Sequence, residues 1–444
     1  MPSPTAAARL TLVGALVAVA AATPATATAR PEPLVTALVP VSALPVGPAQ
    51  PTEQRTHCAR PAPLTSDPTA EPAGHRLLDI GQAWRFSRGG GVTVAVIDTG
   101  ITPHARLPLP QAGGDYVSTG DGLADCDLHG TLVAGIIAAR PSAIDDFAGV
   151  APDSTLIAIR QSSGAFDTRD RRTAAPTMGA GYGPLSTLAK AIVRAADLGA
   201  QVINISEAAC VPGTASIDDD AVASALAYAR ARDAVVVAAA GNLSDTGGCR
   251  EQNPLAPAST SAAWDQVRSV ATPARFGREI LTVGAVEATT AAPAAFSLAG
   301  PWVTVAAPGT DVVSVAGGRA VDALDDENGP RRLAGTSYAA AYVSGVIALV
   351  RARFPQLTAQ QVIDRVVRTA RGGPDRDAAT GYGLVDPVAA LTADLPEVAA
   401  APRITRVAAP RPDEPDHRPA ITVAITLAVG AGLVAGAFAP RRRR

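Results

Sequence analysis

The run Val92-Thr-Val-Ala-Val-Ile-Asp98 is apolar along nearly its whole length and shows no polar alternation, so as a strand it needs cover on both faces. Similar β-branched runs recur at 155–159, 202–206, 234–240 and 280–286. Between and after them, Ala-rich segments predict helices at 130–139, 185–199, 217–231, 337–353 and 358–370. Buried strands alternating with helices predict an α/β fold with a mostly parallel central sheet covered on both sides. In such sheets, functional groups gather at the carboxyl ends of the strands.

The stretch Gly335-Thr336-Ser337 opens a helix that carries no charge from Tyr338 to Val350, with Ala339, Ala340, Ala341, Ser344, Gly345 and Ala348 small enough for close packing. A helix that apolar all round belongs inside the molecule. Its exposed end is then the useful one, because free N–H groups and the positive end of the dipole meet beside the Ser337 hydroxyl. Taken alone, the same residues describe an ordinary N-cap before a buried helix.

Three further positions stand at comparable places. Asp98 ends its strand before Thr99-Gly100, where orientation of a base, metal binding and ribose binding are all open. His129 opens the apolar helical segment His129-Gly130-Thr131-Leu132-Val133-Ala134-Gly135, a rigid support for an imidazole. Asn242 closes Ala238-Ala239-Ala240-Gly241-Asn242, either as a turn residue or as a side-chain amide donor to an oxyanion. The other histidines offer less: His57 lies in the N-terminal arm, His417 in a C-terminal linker, and His75 and His104 open no such helix.

Of the 444 residues, 47% are hydrophobic but only 4% aromatic, so the core must be built from Ala, Val, Leu and Ile. A net charge of -2 gives no reason to expect a nucleic-acid partner. Lys190 is the single lysine, and it falls within a predicted amphipathic helix.

Residues 1–29 read as a cleaved signal peptide: Arg9, an apolar core from Leu10 to Ala22, then small residues ending at Ala29. Residues 30–74 form a Pro-rich N-terminal extension without periodicity. The segment from Gln161 to Pro184 reads as a long mobile loop at the site edge. Asp121, Asp125 and Asp127 read as a solvated loop. After a Pro/Arg-rich linker at 395–419, residues 420–439 are uncharged and, at roughly 1.5 Å each, span about 30 Å, enough for a transmembrane helix. The basic tail at 440–444 keeps that end cytoplasmic.

Export permits disulfides, and four cysteines allow three pairings. Cys210 and Cys249 each follow a predicted strand; if those strands are parallel neighbours, both leave one sheet edge and pair. Cys58 then pairs with Cys126 and ties the arm beside His129.

Serine needs a base, the base an orienting carboxylate, and the tetrahedral intermediate its donors. Val-Ile-Asp98-Thr-Gly, His129-Gly-Thr-x-Val-Ala-Gly, Ala-Ala-Gly-Asn242 and Gly-Thr-Ser337-x-Ala-Ala together resemble the subtilisin-like serine proteases, the subtilases. The order Asp, His, Ser agrees, whereas α/β-hydrolases and chymotrypsin-like enzymes run differently. The resemblance covers about residues 75–392 and implies a peptidase domain at 75–394 with a subtilisin-like three-layer fold. It implies a serine endopeptidase with Ser337 as nucleophile, His129 as base then acid, Asp98 as orienter and Asn242 with the Ser337 N–H as oxyanion hole. It further implies that Ser206, Glu207, Ala208, Ala240 and Gly241 line the substrate groove. No cofactor and no metal are implied.

The whole arrangement is similar to the mycosin branch associated with type VII secretion. That implies a single-pass cell-membrane protein with its peptidase domain outside the cytoplasm, and with peptide substrates and secretion-machinery partners. Two departures matter. Tyr338, Ala341 and Tyr342 alter packing around the serine helix, and Ser206-Glu207-Ala208-Ala209-Cys210 stands where many subtilases have Ser-Leu-Gly-Gly, so specificity does not carry over. The rival functions are a structural component of the secretion machinery in which cleavage is dispensable, and a nutritional protease without secretion partners.

Overall fold

The computed structural model describes residues 39–170, 181–245, 249–255, 261–277, 279–326, 329–372 and 375–396. Its centre is a seven-stranded sheet: β1 (Thr93–Asp98), β2 (Gln111–Asp115), β3 (Thr155–Arg160), β4 (Val202–Ile205), β5 (Val235–Ala239), β6 (Leu281–Val286) and β7 (Val305–Pro308). The spatial order is β7-β6-β5-β4-β1-β3-β2 and every pairing is parallel. β1 therefore has β4 on one side and β3 on the other, with Ile97 opposite Ile205 and Asp98 opposite Arg160. The chain reverses its direction of travel across the sheet at β1, which makes the carboxyl end of β1 a natural crevice.

Five helices cover the sheet: α1 (His129–Ala138), α2 (Leu185–Asp197), α3 (Asp220–Ala231), α4 (Thr336–Arg353) and α5 (Ala359–Thr369). Successive strand residues face opposite sides. Val94 and Val96 accordingly pack with Leu132 and Ile136 of α1 and with Val343 and Val346 of α4. Ala95 and Ile97 pack with Leu188 and Ile192 of α2 and with Val222 and Leu226 of α3. Sandwiched strands thus explain the lack of polar alternation. Lys190 lies half-buried on α2, in the layer opposite α1 and α4.

α4 is buried from Thr336 to Arg351. Its small residues admit close neighbours: a Cβ added to Gly345 would meet the Val150 Cβ at 2.5 Å. Where the helix ends, the buried Arg351 guanidinium donates to Asp233 Oδ2 at 2.9 Å and to the Leu357 carbonyl at 3.1 Å. α5 starts with a capping box between Thr358 and Gln361, which satisfies two otherwise orphaned N–H groups.

Strands β2 and β7 of the sheet, and the short strands outside it, escaped the sequence pattern. β2 reads Gln-Ala-Gly-Gly-Asp and contains no β-branched residue, so its state comes from pairing with β3 rather than from propensity. From residue 39 on, the N-terminal extension, aperiodic in sequence, finds strand partners. Thr52–Gln54 runs antiparallel to Phe166–Thr168, and Arg60–Pro61 to Ala323–Asp326. The Thr65 and Ser66 N–H groups both donate to the Asp322 carboxylate at 3.0 Å.

The stretch read as a long mobile loop is likewise held at its ends. Phe166–Thr168 is that strand partner, and Ser163 and Tyr182 exchange backbone hydrogen bonds of 2.8 and 3.0 Å. The signal peptide expected at 1–29 and the spanning helix expected at 420–439 lie outside the described residues. Among the described residues, no helix is long and apolar enough to cross a membrane.

The structure pairs Cys58 with Cys126 and Cys210 with Cys249, at Cα separations of 4.5 and 5.1 Å. Cys210 lies in the strand Ala209–Pro212, antiparallel to Ser269–Thr272. The Cys210–Cys249 bridge closes a separation of 39 residues, which on the chain-entropy account is worth about 4 kcal/mol. Urea unfolding of the Cys210→Ser/Cys249→Ser double variant is expected to show a loss of about that size; an unchanged unfolding free energy would refute the structural role of the bridge.

Candidate active site

Asp98 sits at the carboxyl end of β1 and is almost completely buried. Its Oδ1 accepts from the Thr99 N–H at 2.7 Å and from His129 Nδ1 at 2.7 Å. Because Nδ1 donates there, the ring presents Nε2 on its other side. His129 is the first residue of α1, and its side chain remains 24% exposed while that of Asp98 is 0% exposed. The carboxylate is therefore sealed behind an imidazole that solvent can still reach.

The approach of α1 to β1 depends on Gly130. A Cβ there would lie 2.1 Å from the Gly100 carbonyl oxygen and 3.0 Å from the Asp98 Cβ. Any side chain would push the helix start, and His129 with it, off the strand end.

Behind this pair lies a buried network that the sequence reading missed. Asp125, read as part of a solvated loop, is buried. Its Oδ1 accepts from Thr99 Oγ1 at 2.8 Å; its Oδ2 accepts from the Thr131 N–H at 2.8 Å and Thr131 Oγ1 at 2.7 Å. Thr99 Oγ1 in turn accepts from the Gly130 N–H at 2.9 Å. The carboxylate thus satisfies orphan donors at the start of α1 and bolts them to the loop after β1. Burial, with the Asp98 charge adding to it, pushes the Asp125 carboxyl up to about 6 against its hydrogen bonds from Thr131 and Thr99. Asp127 is not solvated either: it accepts from Ser163 Oγ and, at 3.0 Å, from the Ala165 N–H. Only Asp121 stays exposed as read. The one sequence signal for Asp125 was its place just ahead of a His-Gly-Thr helix start.

Ser337 lies on the first turn of the buried helix α4, and its own carbonyl accepts from Ser206 Oγ at 3.2 Å. The next residue, Tyr338, packs its ring against the His129 imidazole with centroids 5.5 Å apart. Asn242, exposed after β5, accepts at Oδ1 from the Thr336 N–H and Thr336 Oγ1, both at 3.0 Å. A backbone N–H can only donate, so the amide oxygen must face Thr336, which leaves the amino group on the other side. A Cβ built on Gly335 would have Ser337 Oγ at 2.9 Å and Asn242 Nδ2 at 3.5 Å. Hydroxyl and amide donor thus flank one point at the helix start.

The remaining groove candidates divide. Ser206 is buried and tied to α4 as described, accepting also from Asn204 Nδ2 at 2.6 Å. Glu207 and Ala208 are half-buried at the open edge. Ala240 points into a small cluster with Cys249, Trp264 and Trp302, and the Gly241 carbonyl accepts from the Leu298 N–H at 2.9 Å. Glu207 accepts from Ser162 Oγ. Its carboxylate, that of Asp98 and a ring nitrogen of His129 all lie within 4.8 Å of one another. Those atoms are donors of the type that hold a divalent cation, though His129 Nδ1 is already engaged with Asp98.

Burial favours the neutral imidazole, but the Asp98 carboxylate, its hydrogen bond and the charges of Glu207 and Asp125 outweigh it and raise His129 to about 9. Burial and the Asp98 charge push Glu207 up to about 7. Elsewhere His75 is buried between Tyr342 and the Ala148 carbonyl, and burial holds it down near 4. His104 Nδ1 accepts from the Arg106 N–H at 3.1 Å. Both fit structural roles.

Residues 89–383 match the Subtilase family (Peptidase_S8). Mycosin-4 of Mycobacterium tuberculosis (strain ATCC 25618 / H37Rv) is 47% identical over 425 residues, 92% of this chain and 89% of that protein. The chain belongs to the subtilase family, in its mycosin branch. Among solved structures, MycP1 from the ESX-1 type VII secretion system superposes with a TM-score of 0.75 at 44% identity, covering 82% of this chain and 98% of that one. A chain of an intact ESX-5 inner membrane complex gives a TM-score of 0.74 at 42% identity, covering 92% of this chain and 98% of that one. This mycosin is thus a serine protease by family, with the subtilisin-like α/β fold and its mostly parallel central sheet.

The Asp125 network makes a specific demand. In Asp125→Asn, an amide N–H₂ group must face one of the Thr99 or Thr131 donors, leaving a buried donor unpaired. Unfolding free energy is expected to fall by about 1–3 kcal/mol in urea titration. Wild-type stability in that variant would show that the network does not hold the α1 start.

Proposed function

We propose that this chain is an exported, membrane-anchored endopeptidase that cleaves peptide bonds through Asp98, His129 and Ser337 and serves a type VII secretion system. The observation that carries the proposal is the 2.7 Å bond between His129 Nδ1 and Asp98 Oδ1, with the first turn of α4 packed on the same imidazole through Tyr338. In this reading His129 Nε2 takes the Ser337 proton as Oγ attacks the scissile carbonyl. Asp98 holds the ring by Nδ1–H and stabilises the imidazolium. Asn242 Nδ2 and the Ser337 N–H receive the oxyanion. His129 then protonates the leaving amine, and a water deprotonated by the same imidazole hydrolyses the acyl-enzyme.

The proposed chain plan is a signal peptide at 1–29, an extension at 30–74, the peptidase domain at 75–394, a linker at 395–419, a transmembrane helix at 420–439 and a cytoplasmic basic tail at 440–444. Two disulfides support an oxidising location for the peptidase domain. Similarity to a chain of the ESX-5 inner membrane complex, and to one in its periplasmic assembly, supports a place at the membrane among secretion components. The same similarity favours a second reading, in which the domain acts as a structural part of that machine. Complementation of a deletion strain separates the two: Ser337→Ala restores secretion only if the structural role suffices.

Wild-type protein is expected to react with a fluorophosphonate probe and Ser337→Ala to remain unlabelled; persistent labelling would reject Ser337 as nucleophile. In steady-state assays, Asn242→Ala is expected to lower kcat by about 10² to 10³. Because a general base must be neutral and the surrounding carboxylates favour the imidazolium, kcat/KM should keep rising as pH climbs toward about 9. Removing one of those charges with Glu207→Gln should move this limb to lower pH, and an unmoved limb would exclude Glu207 as a contributor.

A further inference from the structure

β3 and β4 flank β1, so the residues that follow them leave the sheet on either side of Asp98. Ser162 stands just beyond Arg160, the partner of Asp98 in β3, and its N–H lies 3.3 Å from the Asp98 carbonyl. Glu207 stands just beyond Ile205, the partner of Ile97 in β4. Ser162 Oγ donates to Glu207 Oε2, so the two side chains meet across the end of β1. The Glu207 carboxylate is brought within 4.8 Å of both the Asp98 carboxylate and the His129 ring.

Such a carboxylate is a conspicuous choice for this place. Two carboxylates share one imidazole, and among the described residues no Arg or Lys side chain forms an ion pair with Glu207. Ser162 and Asp98 are buried, whereas Glu207 is half-buried and the His129 side chain is 24% exposed. Asp98 is therefore sealed, while Glu207 and His129 keep surface that a ligand can reach. A partly desolvated anion of this kind selects a cation, because a neutral side chain strips its water and returns no charge.

We infer that Glu207 is a specificity-determining residue that receives a lysine or arginine side chain of the substrate. The inference rests on the proteolytic reading of Ser337 given above. The substrate position follows from strand geometry. An extended peptide running beside the end of β4 places successive side chains on opposite sides. In the proteolytic reading the attacked carbonyl sits between Ser337 and Asn242, whereas Glu207 stands beside the His129 imidazole. That leaves the residue before the scissile one, whose side chain faces the other way, to lie over Glu207. Burial and Asp98 together raise the Glu207 carboxyl to about 7, so a docked ammonium or guanidinium also restores its charged form.

The test uses the full chain in detergent and two peptidyl phosphonate diphenyl esters that differ only in the residue before the reactive one, lysine or norleucine. Inactivation by the lysine probe is expected to be about tenfold faster, a ratio between those of exposed and buried ion pairs. In Glu207→Gln the ratio should collapse toward one, and in Glu207→Asp, which keeps the charge, a preference should remain. A ratio near one in the wild type, or an unchanged ratio in Glu207→Gln, overturns the inference. Because each ratio is taken within one protein, a general effect of the substitution on His129 cancels. If a small fluorophosphonate labels Ser337 while the two probes react equally, only this inference fails. If no probe labels Ser337, the proteolytic reading fails and takes the inference with it.

Discussion

The hydrogen bond between Asp98 and His129 joins the end of a strand to the start of a helix. Asp98 closes a strand held on both sides by parallel neighbours, and His129 begins a helix that packs across the face of the same sheet. The strand end is fixed by its ladder, so the geometry of the pair depends on where the helix starts. Gly130, Thr99, Asp125 and Thr131 set that start. The arrangement places a charged group in an interior that disfavours charge, and it persists because each buried oxygen of Asp125, and Oδ1 of Asp98, has donors facing it.

The electrostatics follow from this crowding. Asp98, Asp125 and Glu207 all bear on one imidazole, and their combined field overrides the tendency of burial to keep the ring neutral. Burial, with the Asp98 charge adding to it, disfavours the ionised forms of Glu207 and Asp125. The site is thus short of positive charge in its resting form. Tyr338 covers one side of the imidazole, and α4 behind it is too deeply packed to yield. The serine, the amide of Asn242 and the ring are consequently presented on supports that do not share a single flexible loop, which is how a site keeps its geometry without bound substrate.

The N-terminal extension belongs to this framework in an unexpected way. It contributes strand pairings to Phe166–Thr168 and to Ala323–Asp326, and a disulfide to Cys126, in the loop that leads into His129. Its partner strand at Phe166–Thr168 belongs to the segment after β3 that also provides Ser162 and Ser163 near the site. The extension therefore constrains the loops on either side of the crevice, although its own sequence has no pattern that announces a fold.

Local order was legible in the sequence wherever the cause was local. Uninterrupted apolar runs announced sandwiched strands, Ala-rich amphipathic runs announced helices, and the residues Asp98, His129, Asn242 and Ser337 stood out because each ends a strand or opens a helix. Contacts across the fold decided the rest. β2 is a strand only because β3 offers it a ladder. Asp125 and Asp127, indistinguishable in sequence from solvated loop acids, were turned inward by donors arriving from Thr99, Thr131, Ser163 and Ala165. Glu207 was expected in the substrate groove and as a departure from a familiar motif, but its place beside Asp98 and His129 came only from the ends of β3 and β4 meeting there. Hydrophobic periodicity is a property of neighbours along the chain, whereas the environment of a carboxylate is set by whichever groups the fold carries to it, and no spacing rule encodes that.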